Sequence, residues 1–100
     1  GAAASQVTNN PLRLKSPLYR APGSDRWEEK SWEWVMPRIA ERVKATRDAS
    51  FQTERDGVTV NRTEAIASLG GAALDNEECY LLSKLMRALG IVYLEHQARI

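Results

Sequence analysis

The stretch EAIASLGGAALDNEECYLLSKLMRALGIVYL, residues Glu64–Leu94, decides the fold of this 100-residue chain. It begins with a short apolar run, Glu64–Leu69, whose length is typical of a buried strand, although periodicity alone also allows a helix. Asp75 then predicts a helix start, because Glu78 follows it three residues later as in a capping box. At the other end, Ile91–Leu94 is β-branched and aromatic and predicts a second strand.

The segment between the two predicted strands has the pattern of an amphipathic helix. Its apolar residues recur at helical spacing up to Leu89, and Gly90 is a suitable stop because glycine tolerates the left-handed conformation. The order strand, glycine-rich loop, helix, strand is a βαβ unit, whose strands should be parallel with a right-handed crossover. Because two strands alone do not form a stable sheet, the sequence predicts an α/β fold that is the βαβ portion of a larger parallel-sheet domain.

The residues before this unit divide into two parts. Residues 1–30 lack hydrophobic periodicity and contain several prolines, so we expect an extended, irregular arm, followed by a partial α/β domain over residues 31–100. Ser31 is a good N-cap for a helix. Pro37 lies inside that helical pattern, which predicts a kink or a helix that effectively starts near Pro37.

A turn and a strand are predicted between this helix and the βαβ unit. Asp56–Gly57 is a turn signal. The alternation of apolar and polar residues over Val58–Asn61 then predicts a short strand or one arm of a hairpin.

Composition excludes several classes of function. The net charge of +1 gives no electrostatic case for nucleic acid binding. No apolar run approaches the roughly 18 residues of a transmembrane helix, so we expect no direct membrane insertion. The single cysteine, Cys79, and the single histidine, His96, cannot form a closed metal site without other ligands. We expect Cys79 to be a packing residue.

The loop over residues 70–76 is a candidate ligand site. It follows a strand and precedes a helix N-terminus, where free backbone N–H groups favour phosphates. Gly70 and Gly71 would let a pyrophosphate approach the backbone, and Asn76 opens the helix. The alternative is a crossover turn that uses glycine for tight packing, because the loop matches neither a GxGxxG nor a Walker A motif.

Three stretches of the chain resemble the major, or catalytic, subunits of formate dehydrogenases in the molybdopterin oxidoreductase superfamily. They are YRAPGSDRWEEKSWEW (Tyr19–Trp34), NRTEAIASLGGAALDNEE (Asn61–Glu78) and EHQARI (Glu95–Ile100). The resemblance extends over residues 7–100, and Pro37 departs from the usual pattern. It implies oxidation of formate to carbon dioxide at a molybdenum or tungsten centre. The implied cofactors are bis-molybdopterin guanine dinucleotide and a 4Fe–4S cluster in the parent protein.

The same resemblance implies where this chain would lie in such a subunit. It would be an internal fragment, and the catalytic selenocysteine or cysteine is expected immediately after Ile100. We therefore expect no catalytic residue and no metal ligand in the chain. We also expect the isolated chain to be inactive and to bind no cofactor.

The resemblance also implies contacts and partners. The residues expected to contact the cofactor are Gly70, Gly71, Asn76, Gln97 and Arg99. Gln97 would orient a pterin or a substrate carboxylate by hydrogen bonding, and Arg99 would pair with a cofactor phosphate or lie near the metal site. The alternative for both is that they are polar loop residues. For His96 we favour the alternative of a polar loop residue. The expected partners are the rest of the catalytic subunit and an iron–sulfur electron-transfer subunit.

The expected compartment is the periplasm, with the cytoplasm as the alternative. A different function is a non-catalytic α/β scaffold or interaction module that shares the family pattern. We expect the clustered tryptophans, Trp27, Trp32 and Trp34, to anchor the arm and not to stack on bases, because acidic residues flank them.

Overall fold

The computed structural model describes residues 1–96. In this range the elements are α1 (Ala4–Thr8), β1 (Leu18–Tyr19), β2 (Glu28–Glu29), α2 (Trp32–Ser50), β3 (Gln52–Arg55), β4 (Val58–Leu69), α3 (Asn76–Ala88) and β5 (Ile91–Glu95). The α/β class and the βαβ unit are therefore confirmed, because β4 pairs with β5 in parallel and α3 connects them.

The two predicted strand segments upstream of the glycine loop are one element. β4 runs without interruption from Val58 to Leu69, so the hairpin arm and the strand predicted at Glu64–Leu69 are its two ends. β3 pairs with the first part of β4 in antiparallel orientation, and the order β3-β4-β5 makes the sheet mixed.

The turn between β3 and β4 follows from its two residues. Asp56 and Gly57 both have positive φ, 52° and 78°. Two left-handed residues in a two-residue connection match the right-handed twist of the flanking strands, and Asp-Gly is one of the preferred pairs for this turn.

The start of α2 is set by Ser31. Its Oγ accepts a hydrogen bond from the Trp34 N–H at 3.3 Å, which confirms the predicted N-cap. A backbone hydrogen bond at Glu33 and a side-chain hydrogen bond with Ser31 lower the pKa of Glu33. The helix continues from Trp32 through Pro37, so the alternative of a start near Pro37 is wrong. The cap orders the first turn, and Pro37 removes only the single amide that would have bonded to the Glu33 carbonyl.

The chain separates into two compact units, Gly1–Ala40 and a second one that begins at Glu41. This boundary falls within α2, whereas the sequence predicted a division between residues 30 and 31. Three short regular elements, α1, β1 and β2, lie within the arm predicted for residues 1–30. β1 and β2 form a short antiparallel ladder in which Leu18 pairs with Glu29 and Tyr19 with Glu28.

Trp34 is the aromatic anchor of the first unit. Its ring meets the ring of Tyr19 edge to face, with the centroids 5.0 Å apart. The guanidinium of Arg38 lies over the same indole, 3.7 Å from the ring centroid. This stack joins β1 to the first turns of α2, while Trp27 and Trp32 remain more than half exposed. Of the three tryptophans, the structure therefore shows an anchoring contact for Trp34.

The fully buried side chains of the described residues are Thr63 and Ile91, which lie side by side at the start of the parallel ladder. The Thr63 N–H donates to the Gly90 carbonyl at 2.7 Å, and its hydroxyl lies 2.6 Å from the Ser50 hydroxyl. The Arg47 guanidinium donates to the Leu89 carbonyl at 2.8 Å. Within the described residues, the fully buried side chains of the second unit are thus Ile91, which is apolar, and Thr63. The hydrogen bonds named above connect the elements that pack around them.

Both long helices have apolar side chains that no described residue covers. The exposed apolar residues are Trp32, Met36 and Ile39 on α2 and Tyr80, Leu81 and Leu85 on α3. All six are more than half exposed. Exposed apolar area on this scale is typical of an interface that needs further protein.

Candidate functional site

The candidate site is the sheet edge at which β4 and β5 both end. Leu69 pairs with Glu95 in the parallel ladder, and the Gly70 N–H donates to the Glu95 carbonyl at 2.8 Å. The loop after β4 therefore starts at the same edge of the sheet as His96, the residue after β5. The structure brings Gly70 and Gly71 to the edge where His96 lies, as the parallel arrangement requires.

The two glycines differ in their surroundings. A Cβ on Gly70 would lie 2.9 Å from Cδ2 of His96 and 3.5 Å from the Glu95 carbonyl oxygen. A Cβ on Gly71 would meet nothing nearer than Cγ of Leu74 at 4.0 Å. Gly70 is thus enclosed, whereas Gly71 has room beside it. The Gly71 N–H donates to no acceptor within residues 1–96.

Asn76 is the first residue of α3, and the helix end around it is occupied by acidic groups. The Glu78 N–H donates to Oδ1 of Asp75 at 2.8 Å, and the Asp75 N–H donates to Oε2 of Glu78 at 3.2 Å. This is the predicted capping box, and it is confirmed. With Glu77, three carboxylates surround this end of α3. The negative charge of these carboxylates disfavours binding of an anionic ligand there, although the helix dipole alone would favour it.

Replacing Asp75 with alanine tests the capping box. We expect the local free energy of unfolding of α3 to fall by about 1 kcal/mol, because an orphan amide loses its acceptor. The matched control is Glu78→Gln, which keeps the acceptor oxygen and should change this free energy by only a few tenths of a kcal/mol. Hydrogen exchange of peptides from α3, measured by mass spectrometry in the complete protein, reports both. Equal losses in the two variants would contradict the assignment.

An open cleft of about 250 Å³ lies between α3 and the end of β5. It is lined by Cys79, Ser83 and Arg87 from α3, by Leu94 from β5 and by His96 directly after β5, among others. Sequence analysis did not predict this cleft, because it depends on how α3 packs against β5. The Arg87 guanidinium donates to the Ile91 carbonyl at 3.1 Å, so this side chain connects α3 to the first residue of β5.

Two of the predicted contact residues, Gln97 and Arg99, lie outside the described residues. Among residues 1–96, no group of three or more histidine, cysteine, aspartate or glutamate side chains could hold a metal ion. In the same range, no helix has both the length and the apolar character needed to cross a membrane.

No protein-family model matches this chain. The chain is 55% identical, over 101 aligned residues, to the formate dehydrogenase subunit alpha of Megalodesulfovibrio gigas. It is 48% identical to the formate dehydrogenase 2 subunit alpha (cytochrome c-553) of Nitratidesulfovibrio vulgaris and 44% identical to the formate dehydrogenase-O major subunit of Escherichia coli.

These alignments cover 100% of this chain and 10% of each relative, so the chain spans about a tenth of the length of the curated relatives it matches. Identity at this level over the full chain indicates common descent and not a shared local motif. The chain is therefore homologous to one segment of formate dehydrogenase alpha, or major, subunits.

Proposed function

We propose that this chain is part of a formate dehydrogenase catalytic subunit, which oxidises formate to carbon dioxide and releases two electrons and a proton. The observation that carries the proposal is the 55% identity along the whole chain to a formate dehydrogenase subunit alpha. In this proposal the chain supplies scaffold and cofactor-contacting loops, and the reacting groups come from other parts of the subunit.

The scaffold role is supported by the apolar residues of α2 and α3. Met36 and Ile39 on α2 and Leu81 and Leu85 on α3 are each more than half exposed. Burying a side chain of this size is worth about 1.5–3 kcal/mol. The remainder of the catalytic subunit is the partner that would cover them.

The cofactor proposed for the parent is bis-molybdopterin guanine dinucleotide with molybdenum or tungsten, and its metal would accept the two electrons of formate. The loop after β4 fits an approaching phosphate at Gly71, because the Gly71 N–H has no acceptor within residues 1–96 and there is room beside it. Gly70 would offer only its Cα surface, since its N–H is bonded to the Glu95 carbonyl.

The helix N-terminus at Asn76 fits a phosphate poorly. Asp75, Glu77 and Glu78 surround it with negative charge, so we do not extend the proposed phosphate contact to the backbone of Asn76. Gln97 and Arg99 remain proposed contacts, Gln97 through its amide and Arg99 through its guanidinium, which suits phosphate geometry. The metal ligand is proposed to lie elsewhere in the subunit.

The electrons are proposed to leave through a 4Fe–4S cluster in the parent and then through an iron–sulfur partner subunit. The name of one relative, which includes cytochrome c-553, supports a route that ends on a separate electron carrier. We propose the periplasm as the compartment, with the cytoplasm as the alternative. Cell fractionation of the source organism, with formate oxidation followed in each fraction, distinguishes these two.

Formate oxidation by the complete protein tests the proposed function. The protein that contains this chain is produced with its natural maturation system and assayed with formate and an artificial electron acceptor. We expect formate-dependent reduction of the dye, together with bound molybdenum or tungsten detected by elemental analysis. Acetate replaces formate as the matched control and should give no reduction, because it lacks the C–H bond that is oxidised. A metal-containing protein that does not oxidise formate would exclude the proposal.

A further inference from the structure

Gly70 lies directly against the imidazole of His96. A Cβ at position 70 would be 2.9 Å from Cδ2 of that ring and 3.7 Å from its Cγ. A separation below 3.0 Å is not one that real Cβ atoms adopt, so the ring lies where a larger residue would carry its first side-chain carbon.

The backbone cannot easily move away from this contact. The Gly70 N–H donates to the Glu95 carbonyl at 2.8 Å, and Leu69 is paired with Glu95 in the ladder. These interactions hold the two strand ends together at the amide of Gly70 and at the residue before it. If position 70 gained a side chain, the imidazole would have to turn aside while the strand pairing remained.

The need for glycine here is one of space. Gly23, Gly57 and Gly90 have positive φ, whereas Gly70 does not, so an L-residue meets no backbone strain at this position. Alanine at position 70 therefore perturbs one neighbour, His96, and leaves the local backbone conformation allowed. An effect of alanine at position 70 can therefore be traced to the displacement of His96.

We propose that Gly70 is a positioning residue for His96, because the space that the glycine leaves sets where this imidazole lies. This rests on the proposed function, in which Gln97 and Arg99, which directly follow in sequence, contact the cofactor. Gly70 acts through His96 and not by touching the substrate.

The first experiment uses the complete, metal-containing protein with Gly70→Ala, and with Gly57→Ala as the control. We expect Gly70→Ala to lower kcat for formate by about tenfold or more, because a small misplacement of groups near a reacting centre is costly. The KM for formate and the metal content should stay within about twofold of the wild type, since substrate binding and cofactor loading are not disturbed. Gly57 lies in the turn between β3 and β4, outside the proposed cofactor-contacting loop, and a Cβ there would meet nothing within 4 Å, so Gly57→Ala should leave kcat within about twofold. Equal effects of the two variants, or a fall in metal content that accounts for the loss of activity, would overturn the inference.

The second experiment does not use activity. Hydrogen exchange over β5 is compared in Gly70→Ala, His96→Ala and the double variant. We expect Gly70→Ala to speed exchange by about fivefold in the wild-type background and to add nothing in the His96→Ala background, because alanine lacks the ring atoms that would collide. An equal increase in both backgrounds would show that Gly70 does not act through His96.

The two proposals fail in different ways. A metal-containing wild type without formate oxidation would end the proposed function, while the exchange measurements would still test the role of Gly70. An active wild type in which Gly70→Ala behaves like Gly57→Ala would overturn this inference alone. If Gly70→Ala gives no folded protein, the double variant with His96→Ala decides: recovery of folded protein supports the role, and continued loss contradicts it.

Discussion

Gly90→Ala is expected to lower the local free energy of unfolding around β4 and β5 by about 3 kcal/mol, the sum of a backbone penalty and overpacking. Gly90 has φ of 78°, which is strained for an L-residue. A Cβ there would also lie 2.7 Å from Cε2 of Phe51 and 2.9 Å from the Asn61 carbonyl oxygen. The Phe51 ring cannot turn away without cost, because the Arg47 guanidinium lies over it, 4.1 Å from its centroid.

Gly57→Ala is the matched control for this prediction. Gly57 also has φ of 78°, but a Cβ there would meet nothing within 4 Å. It should lose only the backbone penalty, about 1 kcal/mol. The difference between the two variants therefore isolates the steric cost at Gly90. Hydrogen exchange of peptides from β4 and β5, measured in the complete protein, gives both values, and equal losses would contradict the tight contact at Gly90.

The second large effect is expected for Thr63→Val, at about 2 kcal/mol, because the hydrogen bonds of a fully buried hydroxyl are lost without any change in side-chain shape. The Thr63 hydroxyl lies 2.6 Å from the Ser50 hydroxyl and accepts from the Ala65 N–H at 3.2 Å. The Ser50 hydroxyl donates in turn to the Thr46 carbonyl at 2.7 Å. Since each hydroxyl has one proton, the Thr63 hydroxyl donates to Ser50, and valine would leave both Ser50 and Ala65 without this partner.

Thr59→Val is the control for the loss of the hydroxyl. Thr59 lies on the same strand, β4, but is exposed, so the same substitution should change the local free energy of unfolding by less than about 0.5 kcal/mol. Both variants are compared by the denaturant dependence of hydrogen exchange at the β4–β5 ladder. If Thr63→Val were as mild as Thr59→Val, the hydroxyl pair between α2 and β4 would not contribute to stability.

The sequence by itself determined the features that depend on neighbours a few positions apart. The capping box of Asp75 and Glu78, the N-cap at Ser31 and the turn at Asp56–Gly57 all involve groups within four residues of one another. Their chemistry is local, so the residue types alone indicate the structure. The parallel pairing of β4 and β5 was also predictable, because a helix that links two adjacent strands brings the chain back in the same direction.

Two features were only partly predictable from local rules. Pro37 predicted a kink or a helix start near Pro37, and the second alternative is wrong, because the Ser31 cap starts α2 at Trp32. The first 30 residues lack periodicity, yet the edge-to-face contact of Tyr19 with Trp34 brings β1 against α2. Such contacts join positions that are distant in sequence, which a periodicity pattern does not record.

Only the tertiary structure decided the candidate site. The sequence placed the glycine loop and His96 each after a strand, but the register of Leu69 with Glu95 is what sets Gly70 against the imidazole. The same register encloses Thr63, a polar residue that no hydrophobic pattern would assign to the core. Strand register depends on many side chains that pack at the same time. Which residues meet across two strands is therefore visible only in the folded sheet.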